Sequence, residues 1–270
     1  MKLGGKHVVR CAESDVWRLF VIGDIHLGSR SCAVKRFQTT VAKVAEDPHA
    51  LWIGLGDYAE YIGHRDIRFD PDNVSEQISV SDLGRLGRVY QDMFVDEVSC
   101  ISDKCVGLLK GNHEDKYEKL NNMQGLHQET CDKLSVRNLG YSCFLDLVFK
   151  TRHNEYSFRI VAHHGAGWAT TTGGKMNRLL KFMDSFPLAD IFIMGHVHEK
   201  IQYSRPIISA DAACENLVEI LQLGVVSGSY LKTYSEGEAT YGERAGYRPV
   251  ALGSPAIVFH PSSRDLGVEW

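Results

Sequence analysis

No stretch of this 270-residue chain approaches the roughly 18 consecutive apolar residues that a membrane-crossing helix needs. Its start, MKLGGKHVVRCAESDVW, likewise has no continuous apolar core of the kind a secretory signal carries. A cytoplasmic protein without a membrane partner is expected. Proline is scarce, at 7 residues, and gathers into no linker; no internal repeat or low-complexity tract interrupts the chain, so residues 1–270 read as one domain. The 7 cysteines are odd in number and none forms a C-x-x-C pair, which excludes a disulfide framework and a cysteine-rich zinc site. Charge of one sign is also lacking: 30 Lys and Arg against 34 Asp and Glu leave a net charge of -4. Nothing global draws the chain to nucleic acid or to an anionic membrane, and a polyanion would have to be held by local positive charge, bound metal included.

What is present is an ordinary globular composition, 44% apolar and 24% charged, organised around five apolar runs that each stop at Gly, Asp or His. These are VWRLFVIGDIH, ALWIGLGDY, KCVGLLKGNHE, YSFRIVAHHG and DIFIMGHVHEK. Their length and β-branched or aromatic content predict buried strands. Helical patterns lie between them, over Cys32–Asp47, Ser81–Ser99 and Gly173–Phe186. The alternation predicts an α/β fold with largely parallel strands, whose ligands bind beyond the carboxyl ends of the strands. All five polar clusters sit at such ends, and they are expected to meet on one rim of one sheet.

The candidates gathered there are Asp24, His26, Asp57, Asn112, His163, His196 and His198. Imidazoles and carboxylates without thiolate suit Mn, Fe, Zn, Ni or Co. Seven ligands exceed the needs of one transition ion but suit two divalent ions sharing a carboxylate and a hydroxide. Such pairs, about 3.5–4 Å apart, clamp the attacking and leaving oxygens in phosphoryl hydrolysis. An amide ligand at Asn112 adds no negative charge where an anionic phosphate must enter.

The ordered set GDIH, GDY, GNHE, HHG and GHVH resembles the motifs of the calcineurin-like metallophosphoesterase superfamily, over Gly23 to Glu199. The resemblance implies a four-layer α/β/β/α sandwich of two mixed sheets, which periodicity by itself does not show. It further implies that Asp24, His26 and His198 hold one metal, that Asp57 bridges, and that Asn112, His163 and His196 hold the other. His113 would then stabilise the transition state or protonate the leaving group. Glu114 or Asp115 would orient an imidazole. One departure is Glu60, where the superfamily has Asp; its carboxylate is expected to reach an imidazole such as His113. Of the pair in AHHG, His163 is taken as the ligand and His164 as a substrate contact or a satisfied polar residue.

Two segments bear on the substrate. HHGAGWATTTGGKMNR leads into a helix start where Lys175 or Asn177 could meet phosphate. Ser227–Pro249 interleaves Tyr230, Tyr234, Tyr241 and Tyr247 with Lys232, Arg244 and Arg248, a mixture able to stack bases and hold phosphates. The expected function is hydrolysis of phosphodiesters, of nucleotides or nucleic acid, by a metal-bound hydroxide with His113 assisting and Mn as the ion to supply in an assay. The alternatives are a phosphomonoesterase, protein phosphatases included, and a non-catalytic metal-binding scaffold. Oligomeric state is left open.

Overall fold

The computed structural model describes residues 1–270 apart from Trp168, Ala212, Glu238, Ala239 and the side chain of Tyr241. All five apolar runs are strands: β2 (Trp17–Ile22), β3 (Ala50–Gly54), β4 (Cys105–Leu109), β7 (Glu155–His163) and β8 (Ile191–Met194). They do not share one sheet. The first three run parallel in a six-stranded sheet with β5 (Asn138–Gly140), β11 (Ala256–His260) and β12 (Asp265–Glu269), in the order β12-β11-β2-β3-β4-β5. The other two are parallel neighbours in a second six-stranded sheet with β1 (Lys2–Arg10), β6 (Ser142–Lys150), β9 (Lys200–Ala210) and β10 (Leu217–Ser227), ordered β1-β6-β7-β8-β10-β9. Both sheets are mixed, because β11 and β12 in the one and β6–β7 and β9–β10 in the other pair antiparallel.

Side-chain alternation along each strand explains the layering. Leu19 and Val21 of β2, with Leu51 and Ile53 of β3, face the second sheet and pack with Leu145, Leu147, Ile160, Ile191 and Val225. Phe20 and Ile22, on the opposite face, pack with Phe37 and Val41 of α1 (Val34–Glu46) and Tyr90 and Phe94 of α2 (Leu86–Val98). The same outer layer holds α3 (Asn112–Asn121) and α4 (Leu126–Leu134) through Tyr117, Leu126 and Cys131. On the far side Val161, Phe192 and Val226 pack against Leu179 and Met183 of α5 (Thr172–Asp184). The result is the α/β/β/α sandwich that the resemblance implies. A strand buried on both faces reads as a continuous apolar run whichever sheet it joins, so the run pattern could not divide the five strands between two sheets.

The helical patterns hold with one change. The stretch expected as a helix over Ser81–Ser99 opens as a 3-10 turn at Val80–Arg85, capped by Ser79 with Asp82, before α2 begins. Among the described residues no helix is long and apolar enough to cross a membrane.

Candidate metal centre

The chemistry-bearing residues lie one to four positions beyond the five strand ends, where the rims of the two sheets adjoin. Asp24, His26, Asp57, His196 and His198 all have left-handed backbone, with φ of 50°, 57°, 52°, 69° and 51°. Each costs on the order of 1 kcal/mol in a residue bearing a Cβ, and such conformations persist only where surroundings over-determine them. Here they do. The N–H groups of Asp24, Ile25, His26 and Leu27 donate to the carbonyls of Gly56, Asp57, Asp57 and Tyr58 at 2.8–3.1 Å. The second loop is fastened in turn by Glu114, whose carboxylate accepts from the N–H of Tyr58 at 2.8 Å and of Asp57 and Gly111 at 3.0 Å each. Glu114 is thus the cap of α3 and the clamp of the Asp57 loop; it orients no imidazole, contrary to expectation. Gly111 permits the approach, since a Cβ there would stand 2.2 Å from Asp57 Oδ1 and 2.3 Å from its nitrogen.

Among the described residues His26 groups with Glu60 and His113, and two further clusters of ligand atoms gather the candidate ligands. In the first, Asp24, His26 and His198 converge. His26 donates Nδ1–H to Glu60 Oε2 at 3.1 Å, which leaves its Nε2 facing His198 Nε2 at 3.4 Å. Asp24 Oδ2 accepts from the His196 N–H at 2.8 Å, while its buried Oδ1 lies 3.2 Å from His198 Nε2 and makes no hydrogen bond. In the second cluster stand Asp57, His164 and His196. His164 donates Nδ1–H to the Leu55 carbonyl at 2.6 Å, and its Nε2 faces Asn112 Oδ1 at 2.8 Å and Asp57 Oδ2 at 3.4 Å. Asp57 Oδ1 accepts the His113 N–H at 2.9 Å.

In each cluster a buried nitrogen whose ring partner is already committed faces oxygen or nitrogen lone pairs. That arrangement is repulsive unless a cation sits between them. The titration of these groups carries the same information. Burial pushes His164 down, but the carboxylate of Asp57 and then Asp24 outweigh it and hold the imidazole up to about 10. For His26 burial is again opposed by Glu60, Asp57 and Asp24, with a value of about 9. Burial raises Asp24 and Asp57, yet the imidazoles of His198 and His164 respectively leave both carboxyls below their ordinary range. A proton meets this demand for positive charge, and so does a divalent metal. The donor set of imidazole, carboxylate and amide fits first-row transition ions.

Two expectations need correcting. The imidazole of the pair that reaches the clusters is His164, not His163: β7 ends at His163, whose ring packs beside Tyr141 and Phe182 at 5.4 and 5.7 Å between centroids and accepts the Gly165 N–H at 2.7 Å. Neighbouring residues on an extended chain point to opposite faces, and only one of the pair can reach the rim. The Glu60 carboxylate meets His26 rather than His113. His113 instead donates Nδ1–H to the Glu60 backbone carbonyl. Its ring lies 4.7 Å from that of His26, edge to face, and burial holds it below its ordinary value against the pull of Asp57.

An open cleft of about 1390 Å³ extends from the clusters, walled by residues 67–73, 169–172, 231–233 and 244–251. Lys175 lines it but is paired with Glu199 at 3.0 Å, and Arg244 is paired with Asp70 at 2.8 Å. Lys232 is exposed to the cleft, whereas Asn177 is exposed on α5 and lines no part of it. Tyr230 cannot stack a base: it is fully buried, its hydroxyl bonded to Thr40 and Ser254 at 2.9 and 3.0 Å. Tyr247 does line the cleft; the side chain of Tyr241 lies outside the described residues. Arg68 also borders the clusters, its Nη1 3.4 Å from His113 Nε2. Nothing in the spacing of IRFD marks that arginine, since its place depends on the path of the chain after Glu60.

No protein-family model matches the chain, and no curated protein does. Among solved structures, GAP50, the anchor in the inner membrane complex of Plasmodium, is similar over 94% of this chain and 84% of that one, at 10% identity and a TM-score of 0.50. This is a likeness of fold alone. Vps29 from Entamoeba histolytica, complexed with Zn2+, matches over 93% and 97% of the two chains at 14% identity and a TM-score of 0.35. The Thermotoga maritima protein TM1076 matches over 94% and 97% at 14% identity and 0.33. At those two scores the likeness carries no argument.

Proposed function

We propose that this chain is a dinuclear-metal phosphoesterase of the calcineurin-like superfamily, acting on phosphodiesters of nucleotides or nucleic acid. The observation that carries the reading is the convergence of the nitrogen and oxygen ligand atoms of Asp24, His26, His198, Asp57, Asn112 and His164 where the two sheets meet, a set that a proton or a divalent ion could serve. Asp24, His26 and His198 would hold one ion, Asn112, His164 and His196 the other, with Asp57 between. When bound, the two ions neutralise phosphoryl charge and lower the pKa of water. The protein's own groups do the rest. Glu114 holds Asp57 in place through the loop's N–H groups. Glu60 fixes the His26 ring. His113, with Nδ1–H committed to a carbonyl, presents Nε2 to the site, and a proton taken up there could pass to a leaving oxygen. A cleft far larger than one phosphate group favours an ester with substantial groups on both sides.

The test is metal content by elemental analysis, with hydrolysis of bis(4-nitrophenyl) phosphate and 4-nitrophenyl phosphate before and after chelation. Two ions per chain and chelator-sensitive diester cleavage support the reading. A strong monoester preference sinks the diester assignment, and no activity with any first-row metal leaves a binding scaffold.

A further inference from the structure

The segment that follows Glu60 brings a second charged device to the rim. Asp66 is buried, with 3% of its side chain exposed. It accepts from Arg68 Nη2 at 2.8 Å, from Arg68 Nε at 3.2 Å, and from Lys116 Nζ on α3 at 3.0 Å. The Arg68 N–H adds a further bond to Asp66 Oδ1 at 3.0 Å. One carboxylate therefore answers two cations, and the cluster keeps an excess positive charge. The fork holds one edge of the guanidinium and leaves Nη1 directed at the site, 3.4 Å from His113 Nε2. That distance is long for a hydrogen bond, and Arg68 lines the cleft together with His26, Asp57, Asn112 and His113.

We propose that Arg68 is a substrate-binding residue, whose Nη1 edge takes a non-bridging phosphoryl oxygen beside His113 while Asp66, itself braced by Lys116, holds the guanidinium in position. The inference deepens the phosphoesterase reading and rests on it. A planar guanidinium anchored along one edge is already oriented for an oxyanion on the other, so little side-chain freedom is lost on binding. It also lies on the side of the site from which His113 would reach a leaving group. The cation and the proton donor then act on the same ester from one side, next to His26 of the first cluster. A purely structural ion pair would be complete with Nε and Nη2; the direction of Nη1 is what that role does not use.

The experiment compares wild type with Arg68→Ala, Arg68→Gln, Arg68→Lys and Asp66→Asn, each loaded with Mn. Metal content, inorganic phosphate affinity by calorimetry, and kcat and KM on bis(4-nitrophenyl) phosphate are measured together. Arg68→Ala and Arg68→Gln should keep wild-type metal content and bind inorganic phosphate about tenfold or more weakly, the loss of one charge-assisted contact. Arg68→Lys should recover part of the affinity, and Asp66→Asn, which keeps the cation but loosens its fork, should fall between. Wild-type phosphate affinity and kcat/KM in both Arg68→Ala and Arg68→Gln would overturn the assignment, even if their melting temperatures drop, because that pattern is a structural ion pair. So would a wild-type protein that holds two metals and does not bind phosphate. A wild-type chain that takes up no metal would instead overturn the phosphoesterase reading, and this inference with it.

Discussion

His164 Nε2 lies 2.8 Å from the side-chain oxygen of Asn112, although the other nitrogen of the same ring is already committed to the Leu55 carbonyl. Two groups 52 residues apart in the chain thus meet at one point, where a proton or a metal ion would lie between them. Replacement of His164 by Ala should lower metal content to about one ion per chain, since a three- or four-ligand site seldom survives the loss of a ligand. His163→Ala should leave metal content unchanged and cost only stability, through its contacts with Tyr141 and Phe182. Elemental analysis of the two variants decides between the neighbours; loss of metal in His163→Ala alone would reverse the assignment.

Glu114 satisfies the buried N–H groups of Asp57, Tyr58 and Gly111. Glu114→Ala strands all three, at roughly 1–3 kcal/mol for each. A loss of at least about 3 kcal/mol in urea unfolding is expected, with reduced metal content because Asp57 is no longer held. Unchanged stability would mean that the loop finds other partners.

Metal uptake should expel protons. Without metal, His26 titrates at about 9 and His164 at about 10, so both rings are protonated at pH 7.5. Ions that take their Nε2 lone pairs displace about two protons per chain, and apparent affinity rises with pH up to that range. Calorimetric titration in two buffers of different ionisation enthalpy reads the proton count directly. Buffer-independent heats would contradict the geometry.

A buried histidine away from the clusters sets an acid limit on stability. His127 on α4 is driven down to about 4 by burial, partly offset by Glu118. Unfolded, it titrates near 6.5, so between those values the unfolded chain binds the extra proton and stability falls as pH drops. The full effect is on the order of 3 kcal/mol, present above pH 6.5 and lost by about pH 4. His127→Leu should flatten this part of the stability profile, as measured by denaturant midpoints from pH 4 to 7. An unchanged slope would show that other groups govern it.

Much of the molecule was legible in the chain because its signals are local. Five apolar runs ending in GDIH, GDY, GNHE, HHG and GHVH place strands and polar ends with no knowledge of their partners, and a buried strand followed by Asp, Asn or His needs only periodicity and composition to be noticed. Side-chain spacing at i and i+2 also places Asp24 with His26, whereas His196 and His198, spaced alike, go to different clusters. Tertiary structure decided the rest. Which of His163 and His164 faces the rim depends on where β7 stops, and a shift of one residue reverses it. Whether Glu60 meets His26 or His113, and whether Glu114 serves a ring or a loop, depends on how α3 lies across the Asp57 turn. Arg68 carries no motif, and its position follows from its pairing with Asp66, a carboxylate that also takes Lys116 from 50 residues further along the chain. The chain records which groups are available; the meeting of two sheets, a contact between residues far apart in sequence, determines which of them touch.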